Sequence, residues 1–316
     1  MGTTMKKENA GEYVLRTEQL TKVYGKKKVV DNVSMHVKKG DIYGFIGKNG
    51  AGKTTFMRMV AGLAQPTFGE IELFGATDID RQRMRIGTLI EQPGAYPRMT
   101  AYENLELLRR AYGITDKNIL PEVLKLVSLE NTGKKKVKDF SMGMKQRLGI
   151  AMALLKAPDF LILDEPINGL DPEGIHMIRE LLIRLNQEKN ITIIISSHIL
   201  GELSKMASAY GIIRDGALVE ELSASELLQR CRRCHKIVIN NADSGTALAT
   251  NILEQRLGIN DFDVPEKSMI RIFGHLDDIA QINKALTNAG VEIIESYTAG
   301  QDLEEYFMER TNKKDA

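Results

Sequence analysis

Residues 47–55 read Gly47-Lys48-Asn49-Gly50-Ala51-Gly52-Lys53-Thr54-Thr55, and this stretch restricts the fold more than any other. Before it, Asp41-Ile42-Tyr43-Gly44-Phe45-Ile46 is apolar enough for a buried strand. After it, Phe56, Met57, Met59, Val60 and Leu63 recur at helical spacing. The predicted order is strand, glycine-rich turn, helix. Glycines let successive backbone N–H groups turn inward with no Cβ in the way, and the helix N-terminus adds partial positive charge, so the nest suits a polyphosphate. Lys53 would reach the outer phosphates, and the Thr54 hydroxyl would ligate Mg²⁺. A tight turn that is merely rich in glycine is the plainer alternative. It does not account for the full Gly-x-x-x-x-Gly-Lys-Thr pattern between a strand and a helix.

At 316 residues, one large and one small domain are expected. The chain is 43% hydrophobic and 27% charged, which suffices for ordinary cores. A formal net charge of +1 and a pI near 7.7 give no bulk electrostatic case for nucleic acid or an anionic membrane surface. No apolar stretch approaches the roughly 18 to 20 residues that cross a bilayer, and the polar start over residues 1–12 has no signal-peptide core. A cytosolic chain is expected unless another subunit holds it at a membrane. The two cysteines form Cys231-Arg232-Arg233-Cys234 before His235; zinc needs a second ligand pair, so two reduced thiols at a domain boundary are expected.

Residues 13–37 alternate like a small antiparallel sheet, interrupted by Tyr24 before Gly25. An aromatic in that loop could stack on a nucleotide base, although an isolated one is ordinary surface. From residue 100 to 158 the pattern is helical. Thr100 with Glu103 forms a capping box, a second helix covers about 121–129, the lysine run 134–136 reads as a solvated turn, and residues 140–147 open a further helix. Phe160-Leu161-Ile162-Leu163 is a short apolar run ending in Asp164-Glu165. It reads as a central parallel strand that delivers two carboxylates to the edge where open α/β sheets bind ligands. Asp164 would hold Mg²⁺, and Glu165 would orient or deprotonate an attacking water. Residues 191–195 form another buried strand with Ser196-Ser197-His198 at its end, placing the imidazole where it could bond the terminal phosphate. A hairpin with an Asp-Gly turn follows at 210–219. Beyond 223 the pattern restarts as βαββαβ, with strands at 236–239 and 291–296 and two strands around a Pro265 turn. A ferredoxin-like domain closed by an amphipathic helix at 303–310 is expected, with a role in dimer contact, subunit contact or regulation.

With these pieces in order, the chain resembles the ATP-binding subunit of an ABC transporter over residues 13–223. By that resemblance, residues 47–54 are the Walker A loop, and residues 160–164 are the Walker B strand with Glu165 as the catalytic acid. Asn168-Gly169-Leu170-Asp171 is the D-loop, His198 the switch histidine and Tyr24 the adenine-stacking aromatic. Residues 140–144 stand in place of the Leu-Ser-Gly-Gly-Gln signature, keeping Ser141 and Gly143, while Met142 and Met144 depart from it. At the Gln loop an ungapped match puts Glu91 on the glutamine; a one-residue shift would put Gln92 there. Glutamate at that place, with Ser-x-Gly-Met-Lys-Gln-Arg and Leu-x-Glu-x-Pro-Gly, is similar to bacitracin-resistance and lantibiotic-immunity ATPases.

The resemblance implies an α/β P-loop NTPase of the ABC type over residues 1–223, with a mixed sheet, an antiparallel β subdomain and a helical subdomain. A small α+β accessory domain would fill 224–316. It also implies ATP and Mg²⁺ as cofactors, Glu91 as a further metal ligand beside Thr54 and Asp164, and a second ATPase subunit, this chain itself, supplying Ser141 and Gly143 across a shared nucleotide. An integral-membrane permease would hold the subunit at the cytoplasmic face, where it drives clearance of a peptide antibiotic. No nucleic acid is expected. An exporter of another drug, lipid or ion, a soluble ABC ATPase, and a catalytically silent regulator are the alternatives. The second lacks its usual paired halves or coiled-coil insertion, and the third sits badly with intact Lys53, Asp164, Glu165 and His198.

Overall fold

The computed structural model describes residues 12–240, 242–299 and 303–312. Residues 1–11 of the polar start lie outside them. The chain opens with β1 (Tyr13–Tyr24), β2 (Lys27–Val33) and β3 (His36–Lys38), then β4 (Ile42–Ile46), which leads through the glycine-rich loop into α1 (Lys53–Val60). β5 (Phe68–Leu73) returns to pair with β1, so that β2, β3 and β5 all lie antiparallel to it. There follow α2 (Ile79–Gln82), β6 (Ile86–Leu89), α3 (Ala101–Ala111), α4 (Ile119–Leu126), α5 (Met142–Leu154), β7 (Phe160–Leu163), α6 (Pro172–Lys189), β8 (Thr192–Ser197), α7 (Leu200–Leu203), β9 (Ala209–Arg214) and β10 (Ala217–Ser223).

Six of these strands form one mixed sheet in the order β10-β9-β4-β8-β7-β6. All are parallel except β10, which closes a hairpin on β9. Every residue of β4, β7 and β8 is buried, as expected for strands covered on both faces, so their apolar residues run consecutively rather than alternate. Phe45 of β4 and Phe56 of α1 meet with ring centroids 5.3 Å apart, pinning the helix to the strand it follows. Such a pair adds about 0.5–1.5 kcal/mol beyond its area burial. The capping box of α3 forms as read, with Thr100 accepting from the Glu103 N–H and Glu103 accepting from the Thr100 N–H. α4 begins two residues earlier than expected: Pro121 sits in the first turn, where its missing N–H costs nothing.

The chain divides into two compact units, with the break between Ala224 and Ser225. After α8 (Ala224–Cys231), the second unit holds β11 (Cys234–Ile239), α9 (Ala242–Asn251), β12 (Phe262–Glu266), β13 (Met269–Ile272), α10 (Ile279–Asn288) and β14 (Ile293–Ala299). The sheet order is β12-β13-β11-β14, antiparallel throughout, around a core that includes Ile237, Leu253, Ile270, Ile272 and Leu286. Pro265 does not make the turn expected of it. It lies within edge strand β12, where a residue without an N–H is tolerated, and the turn falls at Lys267-Ser268.

The last helix, α11 (Leu303–Asn312), was expected to close the second domain. From Phe307 onward its described residues instead group with the first unit. Phe307 is 1% exposed and packs on Tyr210 of β9 with centroids 5.9 Å apart, Arg214 donates to the Arg310 carbonyl at 2.9 Å, and Arg310 pairs with Glu220 at 3.3 Å. The same site buries Tyr210, which pushes its phenol up to about 12.

In the second unit, His235 of β11 is buried, with Nε2 2.7 Å from Ser296 Oγ and Nδ1 3.3 Å from Thr298 Oγ1. Burial pushes its pKa below the ordinary imidazole value of 6.5. The native state therefore resists a proton that the unfolded chain accepts. The stabilising contribution is complete above about pH 6.5 and is lost as pH falls through the native pKa. Thermal unfolding of the full chain is expected to weaken between pH 7.5 and 5, and His235→Gln to flatten that dependence; identical slopes in the two proteins would exclude the effect.

Candidate functional site

β4 ends at Ile46, and the chain turns at once close against β9 and β2. A Cβ on Gly47 would lie 2.5 Å from the Ile213 carbonyl oxygen of β9, and one on Gly52 2.6 Å from that of Val29. Gly52 also sits at φ +110, so both positions need glycine for space and one for conformation. The Gly216 N–H donates to the Ala51 carbonyl at 3.0 Å, tying the loop to the β9–β10 turn. Lys48, Asn49 and Gly50 form its exposed crest, Ala51, Gly52 and Lys53 are buried, and Thr54 and Thr55 are half-buried.

α1 differs from α3, α5 and α6 at its N-terminus. The N-caps Thr100, Ser141 and Asp171 of α3, α5 and α6 each accept a hydrogen bond from their own first turn; Gly52 has no side chain with which to do so. The first N–H groups of α1 keep their donor capacity, and the helix dipole adds positive potential there. That end suits the oxygens of a polyphosphate. Lys53 is 5% exposed; its ammonium donates to the Gly47 carbonyl at 2.6 Å and the Lys48 carbonyl at 3.3 Å, and lies 3.3 Å from Glu165 Oε1.

The opposite wall is the end of β7. The Asp164 N–H donates to the Leu89 carbonyl at 2.8 Å, so its backbone still follows the sheet. Its carboxylate accepts from Thr54 Oγ1 at 2.7 Å on one oxygen and from Ser196 Oγ at 2.6 Å on the other. Ser196 Oγ in turn accepts the Glu165 N–H at 2.8 Å. Glu165 takes φ +48, a left-handed conformation that costs about 1–3 kcal/mol outside glycine. Its Oε2 lies 2.9 Å from His198 Nδ1, while Oε1 faces Lys53 and, among the described residues, is a buried oxygen without a hydrogen bond. Because Thr54 spends its hydrogen on Asp164, its lone pairs remain for a cation. A hydroxyl and a carboxylate beside a phosphate nest are the hard oxygen donors that Mg²⁺ takes, so the residues fit that ion.

Of the expected site residues, the structure therefore brings together Lys53, Thr54, Asp164, Glu165 and His198. It does not bring Glu91 to them. Glu91 is two residues beyond β6 at φ +64, its side chain 57% exposed, and its partner among the described residues is Arg58 of α1, at 2.6 Å. Neighbouring Gln92 is exposed. Tyr24 ends β1, 49% exposed, with the Lys22 ammonium 4.9 Å from its ring centre. Ser141 and Gly143 lie at the outer end of α5, where Ser141 Oγ accepts from the Met144 N–H at 3.3 Å. Met142, one of the departures from the signature, lies over Gly169, where an added Cβ would meet its methyl at 3.1 Å. Ser196 escaped the sequence reading as a site residue. The only signal was a polar residue at the end of an otherwise apolar strand.

A phosphate loop at the end of β4, an acidic pair at the end of β7 and a histidine after β8, all on one edge of a parallel sheet, define an ATP-binding cassette. A family model described as ABC transporter matches residues 30–168. The chain is 44% identical over 298 residues to the bacitracin transport ATP-binding protein BcrA of Bacillus licheniformis, covering 93% of this chain and 96% of that one. It is 43% identical over 218 residues to the lantibiotic transport ATP-binding protein SrtF of Streptococcus pyogenes, covering 68% and 94%. Among solved structures, the dimeric post-hydrolysis state of the cassette MJ0796 bound to ADP and Pi matches with a TM-score of 0.61 at 27% identity, over 66% of this chain and 98% of that one. The chain belongs to the ABC transporter ATP-binding family: it is an ATP-hydrolysing subunit that acts in transport. Among the described residues, no helix is long and apolar enough to cross a membrane.

Ser196→Ala removes the donor to Asp164 and the acceptor of the Glu165 N–H together. Loss of groups that orient metal ligands typically costs about 10- to 100-fold, and leaving buried polar atoms unpaired costs about 1–3 kcal/mol of stability. ATPase assays across a Mg²⁺ titration and thermal melts are expected to show both effects; wild-type turnover would remove Ser196 from the site.

Proposed function

We propose that the site hydrolyses ATP with the following division of labour. The backbone N–H groups of residues 47–55 (Gly47, Lys48, Asn49, Gly50, Ala51, Gly52, Lys53, Thr54, Thr55) cradle the phosphates, and the Lys53 ammonium moves from the loop carbonyls to the outer phosphate oxygens. Tyr24 stacks on the adenine. Thr54 and Asp164 would hold Mg²⁺, and Glu91 would have to leave Arg58 to serve as the further ligand. Mg²⁺, when bound, neutralises charge on the phosphates and orients them for in-line attack. Glu165 takes a proton from the attacking water as the water oxygen bonds to the terminal phosphorus and ADP leaves. His198 holds the Glu165 carboxylate by its 2.9 Å contact and lies where it can also meet the terminal phosphate. Ser141 and Gly143 reach the nucleotide of the second subunit, another copy of this chain. The observation that carries this reading is the chain of hydrogen bonds Thr54–Asp164–Ser196–Glu165 beside the Lys53 ammonium.

The same reading places the subunit at the cytoplasmic face of the cell membrane, held there through a separate permease, and assigns it to the clearance of a peptide antibiotic of the bacitracin or lantibiotic class. What supports that class is identity of 44% to a bacitracin transport ATP-binding protein, extending over 93% of this chain and so reaching beyond the family's shared core. Glu91→Gln is expected to retain hydrolysis while changing the work obtained per ATP, read as resistance against ATPase rate; unchanged values of both would set Glu91 aside.

The decisive experiment is survival of a sensitive bacterium carrying this subunit and its permease, challenged with bacitracin and with a lantibiotic, as wild type or Glu165→Gln. Protection that the variant loses is expected, with hydrolysis reduced about 10²- to 10⁴-fold and an ATP-bound dimer accumulating on size exclusion. Rapid turnover in the variant would exclude Glu165 as the base. Normal ATPase with no protection by the wild type would move the transported substrate to another class.

A further inference from the structure

The ion pair between Arg58 and Glu91 has no part in the reading above, and its two residues come from the helix that carries Thr54 and from beyond the strand that neighbours the one leading to Asp164. Arg58 follows Thr54 by four residues on α1, hence on the same face of the helix one turn further along. Glu91 comes from the end of β6, whose last residue, Leu89, is in register with Leu163 and accepts the Asp164 N–H at 2.8 Å. Glu91, two residues past Leu89, and Asp164, one past Leu163, thus leave neighbouring strands at one sheet edge. A left-handed backbone at Glu91, φ +64, accompanies the delivery of its carboxylate to the Arg58 guanidinium at 2.6 Å.

Three carboxylates leave strands along this edge, and each has its own partners. Asp164 takes two hydroxyls, Glu165 takes Lys53 and His198, and Glu91 takes Arg58. A glutamine at 91 would be neutral and need no counter-ion. A glutamate only accepts hydrogen bonds and brings a full charge, which Arg58 balances. Arg58 is 39% exposed and Glu91 57%, so water screens the pair and it exchanges readily.

We propose that Arg58 is a positioning residue for Glu91: its guanidinium and the Mg²⁺ of the bound nucleotide compete for one carboxylate, and Arg58 thereby sets how much Mg²⁺ is needed to hold the nucleotide. This rests on the metal role given to Glu91 above. Competition makes a prediction with an unusual sign. Removing a cation next to a polyphosphate site would ordinarily weaken binding, whereas removing Arg58 frees a metal ligand and strengthens it.

The test is calorimetric titration of the full chain with a non-hydrolysable ATP analogue across Mg²⁺ concentrations, for wild type, Arg58→Gln, Arg58→Lys, Glu91→Gln and the double variant Arg58→Gln/Glu91→Gln. The Mg²⁺ midpoint is expected to fall roughly two- to five-fold in Arg58→Gln, the range of an exposed ion pair, and to return toward wild type in Arg58→Lys. In the Glu91→Gln background the Arg58 substitution is expected to have no such effect. A weakening of similar size in both backgrounds would mean that Arg58 only contributes positive potential, and the proposal fails. If Glu91→Gln shifts the midpoint while Arg58→Gln leaves it unchanged, the metal role of Glu91 stands and the competition falls. If Glu91→Gln itself leaves the midpoint unchanged, both fall together.

Discussion

The hydrogen bond from Thr54 to Asp164, 2.7 Å long, joins two segments 110 residues apart, and the site depends on it. It forms only if the loop after β4 and the end of β7 stop at the same height on the sheet. The parallel register, in which β8 pairs with both strands, sets that height: Ile46 lies opposite Ser197 and Leu163 opposite Ile195. Because β8 stands between them, its last residues reach both sides. Ser196 is the result, a hydroxyl with Asp164 on one side and the Glu165 backbone on the other. The apolar runs that bury these strands are therefore the means by which polar atoms from three of them meet at one edge.

Charge at that edge is balanced locally. Lys53 is buried with carbonyls and a carboxylate around it, which suits a cation that must also serve phosphate oxygens. Glu165 and Glu91, which leave strands with φ near +50 to +60, end on cationic or titratable partners. Left-handed backbone at a non-glycine residue is retained where surrounding structure compels it, and its recurrence at this sheet edge marks where the fold has given up local comfort for placement.

Legibility followed sequence distance. The phosphate loop was readable because strand, turn and helix are contiguous, so glycine, lysine and threonine at fixed spacing report their own geometry. The βαββαβ order of the second unit was readable for the same reason, down to its helices. Pro265 was misplaced because a proline is compatible with both a turn and an edge strand, and only strand order says which applies. The closing helix was assigned by adjacency to the wrong neighbour: nothing near Phe307 in the sequence announces that Tyr210 will receive it.

What the sequence by itself determined is the buried strands β4, β7 and β8, the capped helix α3, the phosphate-binding loop and the acidic pair, since each is a local pattern whose periodicity and residue chemistry suffice. Tertiary structure alone decided that Ser196 would join Asp164 to Glu165, that Met142 would rest on Gly169, and that Glu91 would face Arg58 rather than Thr54 and Asp164. These contacts join residues 27 to 33 positions apart or lie across neighbouring strands and helices, and their geometry comes from sheet register and helix placement. Register is a property of paired strands, and no single stretch of chain contains it.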